Sequence, residues 1–278
     1  MIDLRQYQTV KVQKGMDEET YHLTPELGST DIKNLCDSVA CFETPFEMSE
    51  QLRQSMAFGT AFHLLMSDLR AFYKQYFVGH EVPLNKDGSL SKRSKEFKQA
   101  VIDHPNVDIL SPVQFESLLK MHQAVINHKV SRITKLYEKG EYETSIFTED
   151  PGTGIRIKGR FDFLNKEKGV FVDFKTTRDP SPRGIKGTIY RLQYHVQAAC
   201  YKAILDKEIG GDFRCIFAFV GSKPPHLCNY VEITGELLQE GFEKRRAALN
   251  RLDQYQREDD PIIKEELYGY PQELMVLE

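Results

Sequence analysis

The sequence has no pair of cysteines at C-x-x-C spacing. Its five cysteines, at positions 36, 41, 200, 215 and 228, are scattered and odd in number. Zinc and iron–sulfur centres need tighter clusters of ligands, so neither is expected, and the thiols read as reduced and mostly core. No apolar run approaches the roughly 20 residues of a membrane helix. The opening Met1-Ile-Asp-Leu-Arg-Gln lacks the apolar stretch of a signal peptide, and a cytoplasmic protein is the expectation. Nor is there an excess of positive charge: 37 Lys and Arg against 41 Asp and Glu leave a net charge of −4. That balance counts against a broadly basic nucleic-acid binder. It still allows a site where acid is concentrated and bound metal ions restore positive charge.

What is present is the make-up of a globular chain, with 40% hydrophobic and 28% charged residues, close to the ordinary mix. A length of 278 residues allows one large domain or two small ones. With no internal repeat or low-complexity segment, a single domain over 1–278 is expected, its core at about 21–255 and an extension at each end. Thr30-Asp31-Ile-Lys-Asn-Leu35 has the make-up of a capped helix start. Leu52, Met56, Phe62, Leu65 and Leu69 recur at near-helical spacing and predict a helix over 50–72. Small residues at 57, 59, 60 and 61 within it would let another backbone pack closely.

Residues 83–98 are basic, polar and turn-rich, and read as a mobile loop or arm. Ser111-Pro112 opens a helix with Leu118, Leu119, Val125 and Ile126 on its apolar face. Strands are predicted over 142–149, 155–164 and 170–175, separated by turns at 150–154 and 165–169. A helix over about 191–205, a strand at 213–220 with 229–233 as its partner, and a long charged helix from Thr234 to about 255 complete the pattern. The fold class is α/β, a small mixed sheet flanked by helices.

Strand alternation sorts the central hairpin. Ile155, Ile157, Phe161 and Phe163 fall on one face of its first strand, and Arg156, Lys158, Arg160 and Asp162 on the other. On its second strand, Val170, Val172 and Phe174 oppose Phe171, Asp173 and Lys175. The polar face therefore gathers Asp162, Asp173 and Lys175 with three cations. Carboxylates hold Mg²⁺, a hard ion that prefers oxygen ligands. The ion acidifies a water and offsets charge on a phosphate, and an ammonium group beside it stabilises the anionic transition state. The same pattern also arises on half-polar hairpins with solvent-facing charge, so these residues alone do not decide.

Asp162, ten residues, then Asp173-Phe-Lys175 resembles the D…(D/E)xK signature of the restriction-endonuclease-like nucleases, with Phe161 where many members have Pro. Three further features resemble the RecE (exonuclease VIII) group, related to the RecB-type nucleases. Gly59-Thr-Ala-Phe-His63 resembles a G-x-x-x-H motif whose histidine is a metal ligand there. Gln197-Ala-Ala-Cys-Tyr201 resembles the Q-x-x-x-Y motif on the helix after the catalytic lysine, its two polar residues one helical turn apart. Asp173-Phe-Lys-Thr-Thr177, then Gly221-Ser-Lys-Pro-Pro-His226, then the helix at 241–249 are similar to that group in order and spacing, although Ser222 stands where many relatives carry an acidic residue. The resemblance covers about 21–252.

The resemblance implies a restriction-endonuclease-like core in which Asp162, Asp173 and His63 hold metal, the Phe174 carbonyl adds a ligand and Lys175 is catalytic, with Gln197 and Tyr201 beside them. Glu143 aligns with a recurrent acidic position and is the weaker candidate. The four spaced cysteines of the iron–sulfur relatives are missing, so no cluster is expected. The implied activity is a Mg²⁺-dependent exodeoxyribonuclease, with Mn²⁺ able to substitute. It would degrade linear double-stranded DNA from its ends, 5′ to 3′. It would form a homo-oligomer and act with a single-strand annealing, RecT-like partner in phage or prophage recombination. Arg156, Lys158 and Arg160 would guide the DNA backbone, and Lys92 and Arg93 of the basic arm would contact the duplex. Two other readings stay open: an endonuclease or flap-type nuclease on the same core, and a DNA-binding protein without activity.

Overall fold

The computed structural model describes residues 12–44 and 47–269, so parts of both expected terminal extensions lie outside the described residues. The chain begins with β1 (Val12–Lys14), α1 (Glu18–Leu23), α2 (Ser29–Asp37), α3 (Val39–Glu43), α4 (Glu50–Ser67), α5 (Leu69–Gln75) and β2 (Tyr76–Val78). Next come α6 (Lys95–Asp103), β3 (Asp108–Leu110), α7 (Pro112–Ile126) and α8 (Lys129–Thr134). The central strands are β4 (Glu141–Glu149), β5 (Arg156–Asn165) and β6 (Val170–Thr177). They are followed by α9 (Pro182–Arg191), α10 (Tyr194–Glu208), β7 (Arg214–Gly221), β8 (Cys228–Glu232), α11 (Gly235–Arg257) and α12 (Pro261–Tyr268).

Six strands make one sheet in the order β1-β4-β5-β6-β7-β8. Every neighbouring pair is antiparallel except β6 and β7. A parallel pair needs a long crossover, and α9 and α10 supply it. β2 and β3 form a separate parallel pair. The architecture is the mixed α/β sheet between helices that the sequence predicts.

Both faces of the sheet are covered. On one, Phe171, Phe217 and Phe219 pack with Ile32 and Leu35 of α2, Val196 and Ile204 of α10, and Leu249 and Leu252 of α11. On the other, Val172, Phe174, Ile216 and Val220 pack with Phe62 and Leu65 of α4 and with Leu118 and Met121 of α7. Coverage on both sides explains why β6 and β7 read as nearly continuous apolar runs.

Several boundaries differ from the sequence reading. The helix expected over 50–72 breaks at Asp68, whose extended backbone and side chain cap α5 through the N–H groups of Arg70 and Ala71. Phe62 and Leu65 are buried, but Leu52, Met56 and Leu69 of the same apolar series are exposed. α9 was not foreseen: among its apolar side chains only Ile185 and Ile189 are buried, too weak a stripe to read. It ends before Gln193, which adopts φ 51° and turns the chain into α10. The basic stretch 83–98 is partly built: Leu84 bridges Leu90, and Ser94 caps α6 by accepting from the Phe97 N–H. Thr234 sits at the start of α11 but its side chain makes no capping bond. Beyond α11, the stretch expected as a tail forms α12.

The close backbone approach lies at Gly241 rather than in α4. A Cβ added at Gly59 would meet only Thr176 Oγ1, at an ordinary 3.6 Å, whereas one at Gly241 would lie 2.2 Å from the His195 carbonyl oxygen. That partner is backbone and cannot swing aside. Gly241→Ala is expected to push α11 off α10 and cost roughly 2–3 kcal/mol, as overpacking does, lowering the melting temperature by several degrees. An unchanged thermal melt would contradict this packing.

Candidate metal centre and active site

The site forms where the hairpin ladder is interrupted. β4 and β5 pair at Tyr142–Phe163 and at Thr144–Phe161, but the Glu143–Asp162 step between them is skipped. Glu143 adopts φ 50°, a left-handed conformation uncommon for a residue with a Cβ. Pairing of β5 with β6 runs only from Asn165–Val170 to Phe163–Val172, so Asp162 and Asp173 lie just past its end. The kink also breaks the expected alternation. Phe161 packs on the α10 side with Phe171 and Tyr201, while Phe163 packs on the α4 side with Val172 and Phe174.

His63 arrives on α4, anchored by the neighbouring Phe62, whose ring meets Phe174 edge-on. Its Nδ1 stands 3.4 Å from Asp162 Oδ1. The other carboxylate oxygen of Asp162 accepts the Phe174 backbone N–H at 2.6 Å. Among the described residues, His63, Glu143 and Asp162 form a group whose ligand atoms all lie within 4.8 Å of one another. Asp173 stands beside them, its Oδ2 accepting from Gln197 Nε2 at 2.6 Å. Its Oδ1 accepts no well-aligned hydrogen bond, although Lys175 Nζ is 2.6 Å away. Tyr201, one turn after Gln197 on α10, lies against Phe161 with ring centroids 4.8 Å apart.

Electrostatics show what this cluster accommodates. Burial favours the neutral form of Asp162, but the charge and hydrogen bond of His63, the Lys175 charge and the Phe174 N–H together hold it below the usual carboxylate range. Burial and the Asp162 charge push Glu143 up, against the pull of Arg160. Burial pushes Asp173 up to about 6, with Lys175 opposing and Asp162 reinforcing. Burial would lower His63, but the Asp162 charge and hydrogen bond prevail and raise it to about 9. Burial works against Lys175 as well, and the Asp173 charge overcomes it, keeping the ammonium form. Raised carboxylates beside a raised imidazole mark a strongly negative spot, which a cation would relieve. Carboxylate oxygens with one imidazole suit Mg²⁺ or Mn²⁺, so the residues present fit a divalent ion.

The sequence profile of a PDDEXK-like domain of unknown function (DUF3799) matches residues 29–266. The chain belongs to this family. No curated protein matches it. Its fold is similar to that of a "Putative exonuclease" from Eubacterium rectale, at 13% identity and a TM-score of 0.55, covering 88% of this chain and 89% of that one. A phage-related exonuclease from Haemophilus somnus 129PT overlaps more loosely, at 15% identity and a TM-score of 0.33, over 62% of this chain and 88% of that one. At 13% identity the likeness to the Eubacterium rectale protein is one of fold.

On this PDDEXK-like frame the predicted cluster separates into groups that meet and groups that do not. Asp162, Asp173, Lys175, His63 and Gln197 are gathered, and Glu143 joins them more closely than its sequence context implies. The cationic stripe does not exist as expected. Arg156 is buried against Glu26, and Lys158 is buried with its Nζ donating to the carbonyls of Tyr21 and Thr24. The segment carrying α1 and the start of α2 covers that face, so both cations fasten it to β5 instead of meeting DNA. Arg160 donates through Nε to Glu143 Oε2 at 2.5 Å and through a terminal nitrogen to the Met16 carbonyl, which makes it a positioning residue for Glu143. Lys92 and Arg93 are exposed in the built loop before α6. Of the thiols, Cys200, Cys215 and Cys228 are buried, while Cys36 and Cys41 are partly exposed. Among the described residues no helix is long and apolar enough to cross a membrane.

Lys33 of α2 escaped the sequence reading. It stands 5.6 Å from the Tyr194 ring centroid, and Lys175 stands 4.7 Å from the same ring. A separation of 142 positions leaves no local pattern that joins the two lysines.

Proposed function

We propose that this protein is a metal-dependent deoxyribonuclease that degrades linear double-stranded DNA from its ends. The observation that carries the reading is the convergence of His63, Glu143 and Asp162 within 4.8 Å beside an Asp173–Lys175 pair at 2.6 Å. His63, Glu143, Asp162 and Asp173, with the Phe174 carbonyl, would hold Mg²⁺ or Mn²⁺. When bound, the ion supplies Lewis acidity, acidifying a water and offsetting charge that builds on the phosphate.

The chain's own residues do the rest. The Phe174 N–H and Gln197 fix the carboxylates of Asp162 and Asp173, as supporting groups orient ligands elsewhere. Lys175, held charged by Asp173, donates a hydrogen bond to the attacking water or to the phosphate oxygen where charge grows. The water oxygen bonds to phosphorus and sheds a proton to solvent, the ester P–O bond breaks, and the leaving oxygen takes up a proton from solvent, so the protons balance. Digestion 5′ to 3′, homo-oligomer formation and a RecT-like annealing partner rest on the likeness to the RecE group.

The test pairs a linear duplex with a closed circle in Mg²⁺, Mn²⁺ or chelator. Metal-dependent loss of the linear DNA with the circle intact is expected. Cutting of the circle would favour the endonuclease reading, and no cutting of either would favour a binding protein. Full activity in Lys175→Ala would remove the lysine from the mechanism.

A further inference from the structure

We propose that Lys33 binds a backbone phosphate of the substrate strand, forming with Lys175 a two-lysine cradle about the Tyr194 ring. The inference rests on the nuclease reading above. Both ammonium groups lie near one ring, Lys175 at 4.7 Å and Lys33 at 5.6 Å from its centroid. That ring is fixed by stacking on Phe217, with centroids 5.5 Å apart and planes 20° apart. A cation over an aromatic face is weakly attracted, but two cations at one ring repel each other.

The other cations around the site are committed: Arg156 to Glu26, Lys158 to the 21–24 carbonyls, Arg160 to Glu143 and Lys175 to Asp173. Lys33 is half-buried, and no carboxylate of the described residues is ion-paired with it; its contact is the Tyr194 ring. The charges it feels agree with that. Burial and the Lys175 charge push it down to about 8, with Asp173 opposing. A half-buried lysine beside a second cation, with no anion bound to it, is arranged for an anion that arrives with the ligand. The anion a DNA-cutting site must admit is a phosphodiester. α2 is held at its C-terminal end by Arg251, which donates to the Leu35 carbonyl at 2.9 Å, so Lys33 is presented by an anchored helix.

Three proteins decide the matter: wild type, Lys33→Met and Lys33→Arg. Binding of a linear duplex is measured in chelator, where no turnover occurs, across a range of salt. Lys33→Met is expected to weaken binding roughly tenfold at low salt, the order of one hydrogen bond to a charged group. It should also reduce the slope of log affinity against log salt by about one, as loss of one phosphate contact does. With Mg²⁺ present, KM should rise while kcat changes little. Lys33→Arg should restore most of the affinity and the slope.

A merely structural lysine would behave differently. Lys33→Met removes a cation repelled by its neighbour, so its melting temperature should hold or rise; a fall in melting temperature with the salt slope unchanged would overturn the assignment. Unchanged affinity and slope in Lys33→Met would also overturn it, with the nuclease reading intact. If wild type neither binds nor cuts DNA, the nuclease reading falls and takes this inference with it.

Discussion

Asp162→Asn is expected to lower DNA cleavage by at least about a thousandfold, close to 4 kcal/mol of transition-state stabilisation, while leaving the fold intact. Asp162 is the group on which the cluster converges: one oxygen faces His63 at 3.4 Å and the other accepts the Phe174 N–H at 2.6 Å. Asparagine has the same shape and keeps one oxygen that can accept that N–H. It loses the negative charge that a divalent ion requires. Relief of charge crowding with Glu143 and Asp173 is offset by loss of the His63 and Lys175 interactions that hold Asp162 ionised, so the melting temperature should shift little. Metal added to wild type should stabilise it increasingly as the free concentration exceeds Kd, and the variant should show little of that gain.

The same substitution has a signature independent of activity. The Asp162 charge is the chief reason His63 is raised to about 9, so in Asp162→Asn its titration should move down toward or below 6.5, followed by NMR of the imidazole protons. In wild type a metal must displace that proton, because only neutral imidazole ligates. Apparent metal affinity should therefore rise with pH up to about 9. In the variant, the pH dependence should end lower. Retention of near-normal cleavage in Asp162→Asn would exclude Asp162 from the metal centre.

How far the sequence reaches is clearest at the hairpin. Period-two alternation placed Phe171, Asp173 and Lys175 on one face of β6, and the α10-facing side of the structure holds them. The same rule fails between Phe161 and Phe163, because it assumes extended backbone on both strands and Glu143 leaves that conformation at φ 50°. Alternation also tells which face a side chain takes and not what covers it. Arg156 and Lys158 alternate with Ile155 and Ile157, which pack on the α10 side with Phe171, so they point away from the face of Asp173 and Lys175, and the 21–28 segment over them converts a potential DNA-guiding stripe into internal fastenings. Lys33 and Glu143 are beyond local patterns for a related reason: they reach the site through helix packing and a strand irregularity, and neither leaves a periodic trace. His63 and Gln197 were legible only through motif resemblance, since a single histidine or glutamine on a helix carries no spacing of its own.

Asp150 is expected to carry the largest effect on stability. Its Oδ1 accepts from Arg245 at 2.9 Å, and its Oδ2 accepts from Arg246 and from the N–H groups of Gly152 and Thr153. One buried carboxylate thus closes the β4–β5 turn and ties it to α11. Asp150→Ala would leave Arg245, itself buried, without its anion. Breaking a buried pair from one side costs about 3–5 kcal/mol, and at roughly 2–4 °C per kcal/mol for a chain of this size the melting temperature should fall by about 10 °C. Removing the stranded charge as well, in Asp150→Ala/Arg245→Met, should recover part of the loss. The pH dependence has a definite sign. Burial alone would raise Asp150, but Arg245 and Arg246 hold it below the ordinary value. A depressed carboxylate stabilises the fold above its unfolded pKa, near 3.9, and loses that contribution as pH falls through the folded value. The gap in melting temperature between wild type and Asp150→Ala should therefore be constant near neutrality and narrow below about pH 4. A constant gap down to pH 2 would mean that the ionised form of Asp150 is not what holds α11 to the turn.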